Sequence, residues 1–327
     1  MSVRYHNFMG RFGWEMQKRF PHLSSDAYLK LQFKTRNKKQ KRYIDYFNSC
    51  AEAPHPLIVN LETINRCNSG CEFCAASKGR DKRPFKRMDE ELFYSIIDQL
   101  AEWDYRGHLT LYGNNEPWLD NRIVDFHKYC REKLPYSFIF MSTNGLILDL
   151  DRLNAIVPYV DQLIINNYCD DMKLHDNIKE IYDYLKANQE KYADVEILIQ
   201  MRYIKAVLTN RAGSAPNKAA AKTELTETCL MPFTDMFIFP DGRMGLCCCD
   251  NFEATTLGNL NEQSLKEIWN GEKYREAREK IGRGRQNHPF CKHCDFIDAG
   301  LRMDAVNDVL AGKPMRGARQ TMFAKWS

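Results

Sequence analysis

Twelve cysteines lie unevenly along this chain, at positions 50, 67, 71, 74, 130, 169, 229, 247, 248, 249, 291 and 294. Eight of them fall into three tight groups, and Cys229 stands 18 residues before Cys247. Cys67, Cys71 and Cys74 follow a Cys-x3-Cys-x2-Cys spacing. Three thiolates on one loop can hold three corners of a cubic four-iron cluster, which ordinarily takes four. A missing fourth ligand leaves one iron open to an incoming molecule, as open zinc positions serve catalysis. Zinc is the competing metal, but a structural zinc wants a fourth Cys or His nearby. The closest histidine upstream, His55, precedes the strand that leads into the loop. Cys229, Cys247, Cys291 and Cys294 form a second set with separations of 18, 44 and 3. The terminal Cys-x2-Cys is a metal-ligand spacing, and a pair carried near a hairpin would complete four ligands.

The elements that must position these thiols are legible around them. Leu57–Glu62 is a short apolar run ending just before Cys67, which puts the first loop at the C-terminal end of a strand. Ligand sites of parallel α/β sheets gather at that end. Helical periodicity covers 88–103, 121–134, 150–157 and 178–185. Strands are expected at 108–112, 136–141, 162–166 and 195–203. Five βα units in this span predict a parallel sheet with outer helices, curled by right-handed crossovers. A full eight-stranded barrel takes ~250 residues, so the fold class expected is α/β, a partial (β/α)6 TIM-like barrel. After Lys205 the pattern changes. Residues 211–217 read as a turn-rich linker. Residues 233–239 and 244–248 flank Pro240-Asp241-Gly242 as a β-hairpin, and 265–281 read as one helix. The domains expected are a partly helical lead at 1–56, the barrel at 57–209, a small cluster-binding β-hairpin/helix domain at 210–298, and a helix and tail at 299–327. In the lead, Phe8, Phe12, Trp14 and Phe20 would cover an apolar surface, Pro21 would break the segment, and Ser24 or Ser25 would cap a helix. The basic run 34–42 reads as a solvated helix face or a docking patch for an acidic electron donor.

Composition sets outer bounds. The chain has 327 residues, 44% of them hydrophobic, enough for a sizeable core. Its 47 basic and 43 acidic residues leave +4, too little to argue for nucleic acid. No run approaches the ~18 apolar residues of a membrane span, and residues 1–6 show no apolar export segment. Clustered thiols in a chain without such a segment suit a reducing, cytoplasmic setting, where they bind metal more often than they pair.

The first loop, with Phe73 before its last cysteine, resembles that of the radical S-adenosylmethionine (radical SAM) superfamily. The resemblance implies that the open iron chelates SAM through its amino and carboxylate groups. It also implies that one electron cleaves SAM, and that the resulting 5′-deoxyadenosyl radical takes a substrate hydrogen. Phe73 would lie against the adenine. Gly113-Asn114-Asn115-Glu116-Pro117 is similar to the family's Gly-Gly-Glu-Pro motif, with Asn114 in place of the second glycine. Its backbone and Glu116 would receive the SAM ammonium. Ser142-Thr143-Asn144-Gly145 is a family-like strand end, so Ser142 and Asn144 join the cofactor set. Asn166 would meet the ribose, and Arg202 would pair with the SAM carboxylate or, alternatively, form a rim salt bridge. The second set resembles the SPASM/twitch extension, which implies one auxiliary 4Fe-4S cluster held by Cys229, Cys247, Cys291 and Cys294. Strand alternation would place Cys249 on the face of Cys247 and turn Cys248 away as a buried packing thiol.

Two fates for a substrate radical follow from the resemblance. In one, it loses a proton and passes an electron to the auxiliary cluster, as in aminocyclitol dehydrogenases and peptide-crosslinking members. In the other, Cys249 returns a hydrogen atom from the opposite face, as in epimerases of sugars or peptides. Oxidation is the preferred reading, with a sugar or cyclitol substrate, because the 56-residue lead has no room for an ordinary peptide-recognition module. A flavodoxin- or ferredoxin-type protein would supply the electron. A reading of a different class is a zinc-stabilised nucleic-acid-binding protein, using the basic run and the cysteines.

Overall fold

The computed structural model describes residues 2–4, 8–297 and 301–313. In chain order its first elements are β1 (Ser2–Arg4), α1 (Phe8–Arg19), α2 (Pro21–Ser49), β2 (Ile58–Leu61), α3 (Glu90–Glu102) and β3 (His108–Thr110). Then come α4 (Ile123–Lys133), β4 (Phe138–Thr143), α5 (Leu150–Ile156), β5 (Gln162–Cys169), α6 (Asp176–Ala187) and β6 (Glu196–Tyr203). The C-terminal region holds α7 (Met231–Thr234), β7 (Asp235–Ile238), β8 (Arg243–Gly245), β9 (Gly258–Asn259), α8 (Leu265–Trp269), α9 (Glu272–Gly282) and α10 (Leu301–Leu310).

Strands β3 and β7 are buried along their whole length, as are most positions of β4 and β5 and half of β6. That pattern belongs to a sheet covered on both faces. The strands form one sheet in the order β1-β6-β5-β4-β3-β2-β7-β8-β9. Pairing is parallel from β1 through β7, and the sheet ends in an antiparallel β7–β8–β9 ribbon. The architecture is the expected α/β parallel sheet, open at both ends. The helices earn their places locally. Asp89 caps α3 by accepting from the amides of Glu91 (2.9 Å) and Leu92 (3.4 Å), and Phe93, Ile96, Ile97 and Leu100 form its buried stripe. Ile178, Ile181 and Leu185 do the same for α6.

Four expectations change. The lead is more regular than its sequence suggests: α2 runs for 29 residues with Pro21 in its first turn, so positions 24 and 25 lie inside the helix rather than at its start. Trp14 is buried with Cys169 and Met201, whereas Phe12 and Phe20 are exposed. The 265–281 helix is two helices. They meet at Gly271, where a Cβ would stand 3.0 Å from the carbonyl oxygens of both Glu267 and Ile268. The hairpin strand β7 also pairs in parallel with β2, Ile58 opposite Asp235 and Leu61 opposite Ile238, so it extends the catalytic sheet. Finally, β8 ends at Gly245, and Cys247–Asp250 is a turn closed by the Asp250 amide donating to the Cys247 carbonyl at 3.1 Å. Strand alternation therefore does not govern the three successive cysteines: Cys247 and Cys249 are buried and Cys248 is half-buried. Positions 1 and 5–7, the boundary at 298–300 and the tail from 314 lie outside the described residues. No helix among the described residues is long and apolar enough to cross a membrane.

Candidate active site

The C-terminal ends of β2 to β6 surround a cavity of about 480 Å³ lined by Cys67, Cys71, Cys74 and Phe73 together with side chains from each following strand end. That volume lies within the ~300–1,000 Å³ of small-molecule sites. Cys71 is buried, and Cys67 and Cys74 are half-buried. Burial pushes the Cys67 thiol up to about 12, against a bond from the Ser69 amide, and pushes Cys71 up to about 11. Thiols so placed are poor thiolates by themselves; bound iron supplies the positive charge that ionises them. A trio of such thiols at the wall of a cavity fits a cluster with one open corner. The unpartnered buried amide nitrogens of Asn114 and Asn115 leave donors for a polar ligand beside it.

Phe73 is buried, 5.9 Å from the Tyr168 ring centroid. Asn144 ties the strand end to the cysteine loop: its Nδ2 donates to Asn68 Oδ1 at 2.7 Å and lies 3.8 Å from Cys67 Sγ. Asn166 Nδ2 donates to Ser142 Oγ at 2.9 Å, so these two act as one polar unit on the wall. Arg202 is half-buried above the Tyr168 ring, its Nη1 3.4 Å from Gln200 Oε1, and makes no ion pair among the described residues.

Glu116 is held on both carboxylate oxygens. It is buried, Oε1 accepts from Thr143 Oγ1 at 2.7 Å, and Oε2 accepts from the Asn144 amide at 2.7 Å. Burial raises it to about 6 against those bonds. Its carboxyl group ties the loop after β3 to the end of β4, and the residue lines the cavity. The loop before it is fixed from below. Gly113 packs so closely that a Cβ would stand 2.5 Å from Phe237 and 2.9 Å from Glu62 Oε1. Glu62 accepts from the Asn114 amide, and burial drives its carboxyl up to about 7 against nearby Arg83.

Cys229, Cys247, Cys291 and Cys294 meet in one buried cluster with Met231, Leu246, Ala277 and Ile281. Burial raises Cys291, and the proximity of Cys247, Cys229 and Cys294 raises it further. Four converging buried thiols fit a fully protein-held cluster. Arg285 clamps two of the ligand segments: its Nη1 donates to the Cys294 carbonyl at 2.5 Å, and its Nε and Nη2 to the Thr228 carbonyl at 3.2 Å each. Among the described residues, no three His, Cys, Asp or Glu side chains are grouped as ligands of a single metal ion. Cys249 sits inside this second set, hydrogen-bonded to Cys247, Cys248 and Cys294, which raises it; the bond lowers Cys294 to about 7. Cys249 is not among the residues that line the cavity.

Sequence reasoning missed Arg211, which it placed in a linker. Arg211, Ala212 and Gly213 all have positive φ (47°, 55° and 85°). That turn drives the Arg211 guanidinium inward, where Nη2 donates to Asn114 Oδ1 at 2.6 Å and to the Cys248 carbonyl. Burial works against its charge, but Cys249, Cys248, Cys74 and Cys247 hold it protonated. One cation thus stands between the two thiol sets. Nothing in its sequence neighbourhood marks it except the adjoining glycine.

Comparison with known proteins agrees with this geometry. The radical SAM superfamily model matches residues 61–193, and the SPASM iron–sulfur cluster-binding domain model matches residues 229–295. The chain belongs to the radical SAM superfamily and carries a C-terminal SPASM domain. It is an enzyme whose cofactors are S-adenosylmethionine, a 4Fe-4S cluster that binds it, and auxiliary iron–sulfur in the SPASM domain. It is similar to the S-adenosyl-L-methionine-dependent 2-deoxy-scyllo-inosamine dehydrogenase of Niallia circulans, 24% identical over 242 residues, 73% of this chain and 93% of that protein. Among solved structures, BtrN in complex with AdoMet and 2-DOIA shares the fold with a TM-score of 0.65 and 22% identity, covering 75% of this chain and 94% of that one. BtrN in an open conformation matches with a TM-score of 0.55 and 19% identity over the same shares of the two chains.

Proposed function

We propose that this protein is a radical SAM dehydrogenase that oxidises a carbinol of a sugar or aminocyclitol, a small-molecule substrate. The observation that carries the reading is the position of the second thiol set. It is buried next to a wall of the cavity: Arg211, a lining residue, donates both to Asn114 of the cavity and to the Cys248 carbonyl of the second set, a side on which a substrate electron can leave. Similarity to the 2-deoxy-scyllo-inosamine dehydrogenase supports the substrate class. Residues 57–209 serve the first site and 210–298 the second, a division supported by the family matches at 61–193 and 229–295.

When bound, the first cluster and SAM supply a one-electron cleavage that yields a hydrogen-abstracting radical, and the auxiliary cluster accepts the electron left by oxidation. The chain supplies the rest. Cys67, Cys71 and Cys74 would hold the first cluster, and Cys229, Cys247, Cys291 and Cys294 the auxiliary one. Phe73 and Tyr168 form an apolar wall for the adenine. Asn166, backed by Ser142, offers a polar contact to the ribose, and Asn144 holds the strand end against the cysteine loop. Arg202 is suited to a bidentate grip on the SAM carboxylate, since no acid competes for it among the described residues. Glu116 and Glu62 set the position of Gly113–Asn115 beneath the cofactor. The hydrogen-donor role for Cys249 that an epimerase requires finds no support in its burial among Cys247, Cys248 and Cys294.

The test is anaerobic incubation of reconstituted enzyme with dithionite, SAM and 2-deoxy-scyllo-inosamine. The expected products are 5′-deoxyadenosine and a substrate lighter by two hydrogens. No 5′-deoxyadenosine, with this or related aminocyclitols and sugars, refutes the reading. Unchanged substrate mass with solvent deuterium at one carbon replaces it with epimerisation.

A further inference from the structure

A cluster of ion pairs joins the segment after the first cysteine loop to the SPASM domain. Arg83 Nη2 meets Asp81 Oδ2 at 2.8 Å, Lys86 Nζ meets Asp241 Oδ2 at 2.7 Å, and Arg243 Nε meets the same Asp241 oxygen at 2.9 Å. Glu253 Oε2 accepts from both Lys86 and Arg243. The second arm of Arg83 is different. Its Nη1 lies 3.9 Å from Glu62 Oε2 and 3.6 Å from Glu253 Oε1. All three atoms are buried and without a hydrogen bond. Such bonds close at about 2.7–3.2 Å, so this arm is shared by two carboxylates and bonded to neither. A movement of about 1 Å toward one of them completes a bond, and in a buried setting an unmade bond is costly.

Each of the two carboxylates is anchored in a different site. Glu62 Oε1 accepts from the amide of Asn114, which lines the cavity. Glu253 belongs to the turn that carries Cys247. There the Asp250 amide donates to the Cys247 carbonyl at 3.1 Å, and the Asp250 carboxylate accepts from the Ala254 and Thr255 amides at 2.7 Å each. The Leu246 amide closes the turn on Thr255 Oγ1 at 2.9 Å. Within these bonds Glu253 is left-handed (φ 58°), a conformation that a glutamate keeps only where its surroundings impose it.

We propose that Glu253 is a positioning residue for SAM binding: through Arg83 and Glu62 it sets the Gly113–Asn115 loop, so that filling the auxiliary iron site tightens the hold on SAM. With auxiliary iron bound, Cys247 and its turn are fixed, and Glu253 keeps Arg83 Nη1 from closing on Glu62. Without that restraint Arg83 moves onto Glu62 and draws its carboxylate off the Asn114 amide. Coupling between two sites is typically worth about 5–150-fold in affinity. The proposal rests on SAM binding in the cavity and on no particular substrate.

The test is calorimetric titration of SAM into reconstituted holoenzyme under anaerobic conditions, without reductant or substrate, so that nothing turns over. Glu253→Gln is expected to weaken the Kd for SAM about fivefold or more. Cys291→Ala with Cys294→Ala, which empties the auxiliary site without altering the 247–255 turn, is expected to weaken it similarly. Adding Glu253→Gln to that pair should cost less than about twofold further, because the restraint is already gone; a merely structural role would multiply the losses. Asp241→Asn loosens Lys86 and Arg243 without touching Arg83, and should stay within about twofold of wild type. Iron analysis and circular dichroism check that the first cluster and the fold are intact. Should Glu253→Gln fail either check, Arg83→Lys takes its place with the same expectation, since one ammonium cannot serve Asp81 and both glutamates. A Kd within about twofold of wild type for Glu253→Gln or its substitute, losses that multiply in the combined variant, or an equal loss in Asp241→Asn overturns the proposal. Wild-type enzyme that binds SAM but oxidises no aminocyclitol or sugar refutes the dehydrogenase reading and leaves the coupling standing.

Discussion

Gly113 offers the sharpest probe of how the cofactor loop is held. Alanine there puts a methyl carbon 2.5 Å from Phe237 Cζ, 2.6 Å from Cε2 and 2.9 Å from Glu62 Oε1. Carbon pairs rest at about 3.5–4.0 Å, so something must retreat by about 1 Å. Phe237 is fully buried, with its ring edge-on to Phe239 at 5.3 Å, and Glu62 is bonded to the next amide in the loop. Overpacking of this kind costs about 1–3 kcal/mol. The part free to move is the Gly113–Asn115 loop itself, so the cost falls mainly on cofactor affinity: about tenfold in the Kd for SAM for each 1.4 kcal/mol. The assay is calorimetric SAM binding to reconstituted enzyme, with circular dichroism to check folding. Phe237→Leu removes the two clashing ring atoms, so the double variant should recover affinity, with a coupling energy of about 1 kcal/mol or more. Wild-type affinity for Gly113→Ala alone, or no recovery in the double variant, refutes the steric account.

The other predictions concern the groups around that loop and the second thiol set. Glu62 is raised from 4.5 to about 7, so the folded state holds its proton more tightly than the unfolded state between those values. Its contribution to stability therefore falls as pH climbs through that window, by about 3 kcal/mol when fully ionised. Glu62→Gln should thus gain on wild type in denaturant titrations as pH goes from about 5 to 7; a difference constant in pH contradicts this. Arg285→Ala should lose roughly half of the bound iron, that of the four-thiol site, with Arg285→Lys little better because a single ammonium cannot span both carbonyls. Iron and sulfide analysis decides it. Cys247→Ala should lose the auxiliary cluster, whereas Cys249→Ala should retain both iron content and product yield; the reverse outcome exchanges their roles.

Local patterns were readable wherever one physical rule governs them. Helical stripes such as Phe93–Leu100 and buried strands such as β4 follow from periodicity, and cysteine spacing marked both metal sets before any geometry. What escaped depends on contacts remote in sequence. The pairing of β1 with β6 and of β7 with β2 joins segments about 200 and 180 residues apart. Glu116 matches a motif whose family role is ligand binding, yet its depth and its bonds to Thr143 and Asn144 are set by a neighbouring strand. The strand-face reading of Cys247–Cys249 failed because β8 ends at Gly245, before the first of them, and Asp250 accepts from the Ala254 and Thr255 amides at 2.7 Å each and folds the chain into a turn. Arg211 was invisible because its reach depends on three successive left-handed residues.

The placement of β7 limits how this enzyme can be rearranged. Cys229 precedes that strand and Cys247 follows it, while the strand itself completes the sheet beside β2. A crossover before Cys229 would pair one parent's β7 with the other parent's β2. A crossover after Ile238 would divide the four auxiliary ligands between parents. No single junction exchanges the C-terminal iron site without also replacing a strand of the sheet, so recombinants between relatives must keep the β2–β7 seam matched.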